Sequence, residues 1–359
     1  MKMKNAWQRW GWPLLKVLLA LAILLAVGHR FYDDLSHLDT AHFELRPAWL
    51  FVSSALYALG LWLSAWYWYH LLHVFGDRPR LSTTGRAYFL GHLGKYVPGK
   101  AWALLLRGSF VRGPQVRFGV AIITSFYEVL TTMAAGSLFA AVVFAFDPPN
   151  VPGLDWHPLL TGLLLLAVCG VPLMPAVFNF IVRRLAARFE KVDSYQLPRL
   201  RLGTLIVGLL ATGLGWSLLG LGVWALLQAV VPGPPELNWA NWLRCSGSIG
   251  LAYVAGFLIL FLPGGLGARE YFLVPLLGFA GGRPVIAAAV LLLRVVWTAT
   301  EVAIALVMIL IRHGRDTETR RHGDTEEQRQ SEGAVPTSDQ PGHPFSVSPC
   351  PRVSVSSLP

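Results

Sequence analysis

The sequence predicts an all-α polytopic membrane protein, with about six full spans plus two Pro-Gly-broken re-entrant helical hairpins in an inverted repeat. Three observations carry that expectation. The chain is 54% hydrophobic and only 14% charged, whereas soluble domains carry roughly a quarter charged residues. Several apolar runs reach about 20 residues, enough to cross ~30 Å of hydrocarbon at ~1.5 Å per residue. Two more apolar stretches are split near their middles, at Tyr96-Val97-Pro98-Gly99-Lys100 and at Phe261-Leu262-Pro263-Gly264-Gly265.

The elements follow in order. Pro13–Phe31 is the first expected span, preceded by Lys2, Lys4 and Arg9 and followed by Asp33, Asp34, Asp39 and Glu44. Positive flanks stay cytoplasmic, so the N-terminus is expected inside. The competing reading, a cleaved signal peptide ending near Ala26-Val27-Gly28, is the less simple start for a polytopic chain. Trp49–Leu72 returns the chain inside, to Arg78, Arg80 and Arg86. Phe118–Phe146 runs out to a Pro-rich loop, and His157–Val182 comes back to a loop dense in arginine. Leu202–Val231 runs out again, and Pro284–Ile311 is the last span, followed by Arg312, His313 and Arg315.

Ala87–Val111 and Asn241–Ala280 remain. In the first, each arm beside the break has about 11 residues, ~16 Å of helix and half a bilayer. Arg86, Arg107 and Arg112 flank the pair, so a hairpin dipping in from the cytoplasmic side is expected, and the second stretch reads likewise from the outer side. Non-helical backbone at that depth survives only when buried in protein or lining a wet cavity. Paired, interrupted segments in corresponding places mark a central binding site.

Glu128, Arg294 and Glu301 lie inside expected spans, where a charge costs a few kcal/mol and normally faces a pathway or a partner. Thr124, Ser125, Thr131 and Thr132 share a helical face with Glu128, and Thr298 and Glu301 share one with Arg294. Glu128 and Arg294 each sit ten positions into their spans, so pseudo-symmetry predicts that they pair, either as structural glue or as a gate. Near the breaks, Lys95, Pro98, Gly99, Lys100 and Arg107 on one side and Pro263, Gly264, Gly265, Gly267, Arg269 and Glu270 on the other are the candidate substrate-binding residues. Half-helix N-termini add backbone N–H donors for a phosphate. Arg107 also fits a snorkelling interface residue, and Glu270 also fits a neutraliser of Arg269 or a helix cap.

Several function classes are excluded. The net charge of +10 is what topology and anionic headgroups require, and no nucleic-acid partner is expected. Cys169, Cys245 and Cys350 follow no disulfide or zinc spacing, so no metal or cofactor is expected. No metalloprotease, nucleophile-elbow, Walker or dinucleotide motif appears. Residues 1–313 form the expected membrane domain. Residues 314–359 turn polar, with a near-repeat of Arg312–Thr317 at Arg321–Thr325, and read as a disordered tail.

Pro263-Gly264-Gly265-Leu266-Gly267-Ala268-Arg269-Glu270 resembles the PGG-x-G-x-R-E signature of the lysylphosphatidylglycerol synthase transmembrane-region family, the flippase-like integral membrane proteins. Gly94-Lys95-Tyr96-Val97-Pro98-Gly99-Lys100 with Arg107 resembles that family's first Pro-Gly element, and Ser125-Phe126-Tyr127-Glu128 its next helix. The resemblance runs from about Trp12 to Ile311. It implies a lipid-handling domain: a flippase-like transporter of an anionic or amino-modified phospholipid or of a lipid-linked sugar. The alternative it leaves is an integral-membrane transferase or accessory subunit acting on lipid-linked substrates. Fuller relatives carry a soluble aminoacyl transferase that these residues do not encode, so the family name by itself implies no aminoacyl-transfer activity. Membrane lipids, with a separate lipid-modifying enzyme, are the implied partners, and the bacterial inner membrane is the implied home.

Overall fold

The structure, a computed structural model, describes residues 29, 32, 45–96, 101–113, 115–149, 157–186, 200–259, 265 and 267–333, with side chains placed as far as residue 310. Every described element is helical, apart from one isolated bridge between Gly113 and Val116. The helices are α1 (Pro47–Val74), α2 (Leu81–His92), α3 (Ala101–Val111), α4 (Phe118–Phe146), α5 (Pro158–Leu173), α6 (Pro175–Ala186), α7 (Leu202–Val230), α8 (Trp239–Leu258), α9 (Ala268–Leu276) and α10 (Arg283–Gly333). Two 3-10 turns, Leu93–Tyr96 and Gly278–Ala280, follow α2 and α9. The chain divides into two units, residues 1–309 and 310–359. Gly314, expected at the start of the tail, falls within the last helix.

Four helices are long and apolar enough to cross a bilayer, or five if the bent pair α5–α6 is one span. This is a multi-pass membrane protein, and its surface fits that solvent. Phe51, Leu160, Leu210 and Val295 are among the most exposed side chains, while Glu128, Arg107, Glu301 and Glu270 are buried. The expected span Pro13–Phe31 lies outside the described residues except for His29. The expected straight span His157–Val182 is instead bent by 61° between α5 and α6. Pro175 has no N–H to continue the ladder, and it drives Met174 out of the helical region, to ψ 129°.

The long helices approach through small residues. At Gly136 on α4 any Cβ would fall 2.7 Å from the Trp216 ring of α7, and at Gly250 on α8 it would fall 2.7 Å from the Gly136 carbonyl. Small residues allow this proximity in bilayers, where apolar burial gives no driving force between helices. Trp216 Nε1 donates to the Thr132 carbonyl at 2.8 Å, which anchors α7 to α4. Helix α4 is also held at both ends. Asp77, just past α1, accepts from Arg117 N and Nε at 3.0 and 2.9 Å, and Asp147 accepts from Arg244 Nη2 of α8 at 3.0 Å. Asp147 lies beyond the apolar span, and the Arg244 hydrogen bond holds its carboxyl below the usual carboxylate range.

Two helical hairpins sit among these long helices. In the first, α2 and α3 double back so that Gly91 lies opposite Arg107 and Gly94 opposite Ala103. A Cβ at Gly94 would lie 2.9 Å from the Ala103 backbone. In the second, Gly256 of α8 lies opposite Arg269 of α9, with Gly265 at φ +70° against the Gly256 carbonyl.

Candidate functional site

The hairpins bring buried charges to the middle of the bundle. Arg107 Nη1 donates to Glu128 Oε2 at 2.7 Å, with both side chains almost wholly buried. Glu128 Oε1 also accepts from Tyr88 OH at 3.3 Å and Thr132 Oγ1 at 3.2 Å. The Arg107 guanidinium lies 3.8 Å above the Tyr88 ring. Glu301, on α10, accepts from Lys95 Nζ and from Tyr57 OH on one oxygen, and from Tyr96 OH at 2.9 Å on the other. Tyr57 stacks on Trp297 with ring centroids 4.2 Å apart. Glu270 takes the Gly267 backbone N–H at 2.7 Å and pairs with Arg294.

The expected pair between Glu128 and Arg294 therefore does not form. Each of these charges pairs with a half-helix of the nearer hairpin, Arg107 in the first and Glu270 in the second. Both hairpins place a side chain of their second arm within reach of the following long helix, and that local reach outcompetes pairing across the bundle. Arg107 is not a snorkelling interface residue, because it is 3% exposed. Glu270 caps α9, since its carboxylate satisfies one of the N–H groups left open at a helix start, and it neutralises Arg294 rather than Arg269. Gly267 sits at φ +82°, a conformation glycine reaches without steric cost, and this turns the chain into that cap.

A cavity of about 350 Å³ lies beside these pairs. Its polar lining includes His92, Lys95, Arg107, Glu128 and Tyr253, and the rest of its wall is mostly apolar, including Trp216 and Phe257. A smaller pocket joins Lys95 to Gly265 and Arg269 of the second hairpin. The Arg269 guanidinium lies 4.7 Å from the Tyr253 ring centroid and 5.0 Å from that of Trp297. Lys95, Arg107 and Glu128 thus gather around one cavity, with Glu301 behind Lys95 as its ion-pair partner; Arg269 borders the neighbouring pocket, and Glu270 and Arg294 form a separate pair. Pro98, Gly99, Lys100, Pro263 and Gly264 lie outside the described residues.

Sequence reasoning missed His92, Tyr57 and Tyr88. His92 Nε2 lies 3.1 Å from Lys95 Nζ, and His92 Nδ1 lies 3.4 Å from Arg107 Nη2, so it bridges the two ion pairs of the first hairpin. The available signal was a helical face of α2, where Tyr88 and His92 stand four residues apart.

The cavity thus sets Lys95 and Arg107 among aromatic and aliphatic side chains, and the buried carboxylates Glu128 and Glu301 are already matched to cations. A family model described as "Lysylphosphatidylglycerol synthase TM region" matches residues 13–306. A search of curated proteins gave no match.

Proposed function

The chain belongs to the lysylphosphatidylglycerol synthase transmembrane-region family, and from that premise we propose that it is a flippase-like transporter, moving an anionic or amino-modified phospholipid or a lipid-linked sugar between leaflets. The observation that carries the proposal is the cavity between the hairpins, with Lys95 and Arg107 on its wall and Arg269 on the adjoining pocket. A headgroup phosphate meets cations there while the acyl chains stay among apolar side chains.

The proposed candidate binding set is Lys95, Arg107, Glu128, Arg269 and Glu301, with Glu270 and Arg294 setting the second hairpin. The proposed inverted repeat has support in a shared pattern. Arg107 pairs with Glu128 21 residues on, and Glu270 with Arg294 24 residues on, with the signs exchanged. The charge asymmetry of the sequence supports a cytoplasmic N-terminus, and the family resemblance is what supports a bacterial inner membrane as the proposed home. The transferase alternative is the weaker reading, because an acid/base pair needs an available carboxylate, and Glu128, Glu270 and Glu301 each engage a cation.

Reconstitution tests the proposal. Liposomes containing the protein should translocate a fluorescent phosphatidylglycerol faster than empty liposomes, and Arg269→Gln should slow that rate at least several-fold. No acceleration over a broad panel of phospholipids and lipid-linked sugars would overturn it.

A further inference from the structure

Charge and hydrogen bonding both come up short around the hairpins. Lys95 pairs with Glu301, Arg107 with Glu128 and Arg294 with Glu270. Arg269 is held by rings instead. Tyr253 and Trp297 lie 4.7 and 5.0 Å from its guanidinium, and no carboxylate among the described residues joins it. A ring face attracts a cation but brings no counter-charge. The pocket that Arg269 borders is not remote from the main cavity, because Lys95, Ala103, Tyr253 and Phe257 wall both.

Around that shared wall stand three cations, Lys95, Arg107 and Arg269, against two carboxylates, Glu128 and Glu301. His92 adds no charge. Lys95 Nζ and Arg107 Nη2 face its two nitrogens at 3.1 and 3.4 Å, so a second ring hydrogen would point at a cation. The described residues therefore leave one positive charge in surplus. The break segments 97–100 and 260–264 contain no acidic residue to cancel it. A buried charge left unpaired is costly. The second shortfall is an acceptor. Arg107 lines the cavity and is 3% exposed, and its Nε is a buried donor with no hydrogen-bond partner among the described residues. One ligand chemistry answers both shortfalls. A phosphodiester carries a single negative charge, and its non-ester oxygens accept charge-assisted hydrogen bonds from arginine.

We infer that the cavity selects headgroups by net charge, with Arg269 as the specificity-determining residue. It takes a phosphodiester with one net negative charge and turns away headgroups that added amines make zwitterionic or cationic. This rests on the headgroup reading above and narrows it, since that reading admits amino-modified phospholipids as well. An ammonium on the ligand cancels the phosphate and leaves the surplus in place. A lysyl ester adds two amines, so that headgroup is itself cationic and enlarges the surplus. A diphosphodiester carries two charges and overshoots. Phosphatidylglycerol and a prenyl-phosphosugar share the monoanionic phosphodiester, and both meet the requirement.

Calorimetric titration of the full chain in an uncharged detergent tests this. The probes are the dihexanoyl forms of phosphatidylglycerol, phosphatidylcholine and lysyl-phosphatidylglycerol, with citronellyl-phosphoglucose and citronellyl-diphosphoglucose beside them. The wild type should bind phosphatidylglycerol at least about ten-fold more tightly than phosphatidylcholine, and lysyl-phosphatidylglycerol more weakly still. Arg269→Gln should bind phosphatidylglycerol and phosphatidylcholine alike, and Arg269→Glu should prefer the lysyl lipid. The tighter of phosphatidylglycerol and citronellyl-phosphoglucose identifies the source of the phosphodiester, and either result supports the selection. Tighter binding of the diphosphoglucose than of the monophosphoglucose overturns the count of one charge. Equal affinities across the three phospholipids, or tightest binding of the lysyl lipid, overturn the selection and leave the headgroup site standing. A preference for phosphatidylglycerol that survives in Arg269→Gln overturns the role of Arg269. Absence of binding by every probe removes the headgroup reading and the selection with it. If neither variant folds, the wild-type series decides the matter alone.

Discussion

Removing Arg107 should unsettle the protein in a way that depends on pH, whereas removing Glu128 should not. The pair is buried, with 4% and 2% side-chain exposure at 2.7 Å, and breaking such a pair costs about 3–5 kcal/mol. Arg107→Met leaves Glu128 with two hydroxyl donors, Tyr88 and Thr132. A stranded carboxylate has a way out, because it can take a proton. From a reference pKa of about 4.3, protonation at pH 7 costs about 3.7 kcal/mol, which caps the loss and falls by about 1.4 kcal/mol per pH unit. The destabilisation of Arg107→Met should therefore shrink by about 2.7 kcal/mol between pH 7 and 5. Glu128→Gln strands a guanidinium that cannot give up its proton, so its cost should stay level. Unfolding of both single variants and the double variant in mixed micelles, at pH 5 and 7, gives the coupling energy directly. The double variant at pH 7 should cost about 3–5 kcal/mol less than the sum of the singles. Additivity within about 0.5 kcal/mol, or equal pH dependence in the two single variants, would refute the reasoning.

Gly94→Ala should destabilise the fold by about 1–3 kcal/mol through overpacking, because its Cβ meets the Ala103 backbone at 2.9 Å. Gly119→Ala, with open space around it, should be neutral or gain up to about 1 kcal/mol, and thermal shifts in detergent separate the two. Glu270→Gln should cost about 3 kcal/mol, the lower end for a broken buried pair, because the Arg294 side chain keeps 20% exposure. Glu270→Ala should cost about 1 kcal/mol more, for the lost cap at Gly267, and equal losses would show that the cap contributes nothing. Asp147 is held below its usual range, foremost by the Arg244 hydrogen bond, so its contribution is present above the unfolded carboxylate value of about 3.9 and disappears as pH falls through the lower folded value. Since both side chains are 38% exposed, solvent screening keeps that contribution under about 1 kcal/mol. Asp147→Asn should differ from wild type by less than that at pH 7, less still in high salt, and not at all at strongly acidic pH.

Much of the fold was legible because the bilayer leaves few choices. The span Phe118–Phe146 could be read to the residue, since Arg117 and Asp147 bracket an uninterrupted apolar run. Glu128 stood out as an interior group because hydroxyl residues share its face. Its partner did not stand out. Register arguments treat helices as whole spans, and Arg107 reaches Glu128 only because two glycines let the arms of a hairpin cross, which leaves no periodic trace. The bend at Met174 had its signal in Pro172 and Pro175, three residues apart, but a continuous apolar run masked it. His92 was hard to read for a different reason. Its place four residues after Tyr88 marks a shared helical face, but its role shows only once the chain folds and sets a cation at each ring nitrogen.

The spacing of the buried pairs also fixes a timetable for biogenesis. Arg107 and Glu128 are 21 residues apart, and Glu270 and Arg294 24 apart, so at ~5–20 residues per second each pair is complete within about 1–5 s of its first member emerging. Lys95 waits for Glu301, 206 residues later, which at the same rates is roughly 10–40 s. Through that interval the Lys95 ammonium has His92 beside it but no carboxylate to balance its charge. The last long helix is thus a latch closed from the C-terminal side, and a chain stalled before Glu301 presents its first hairpin to membrane quality control still carrying an unmatched charge.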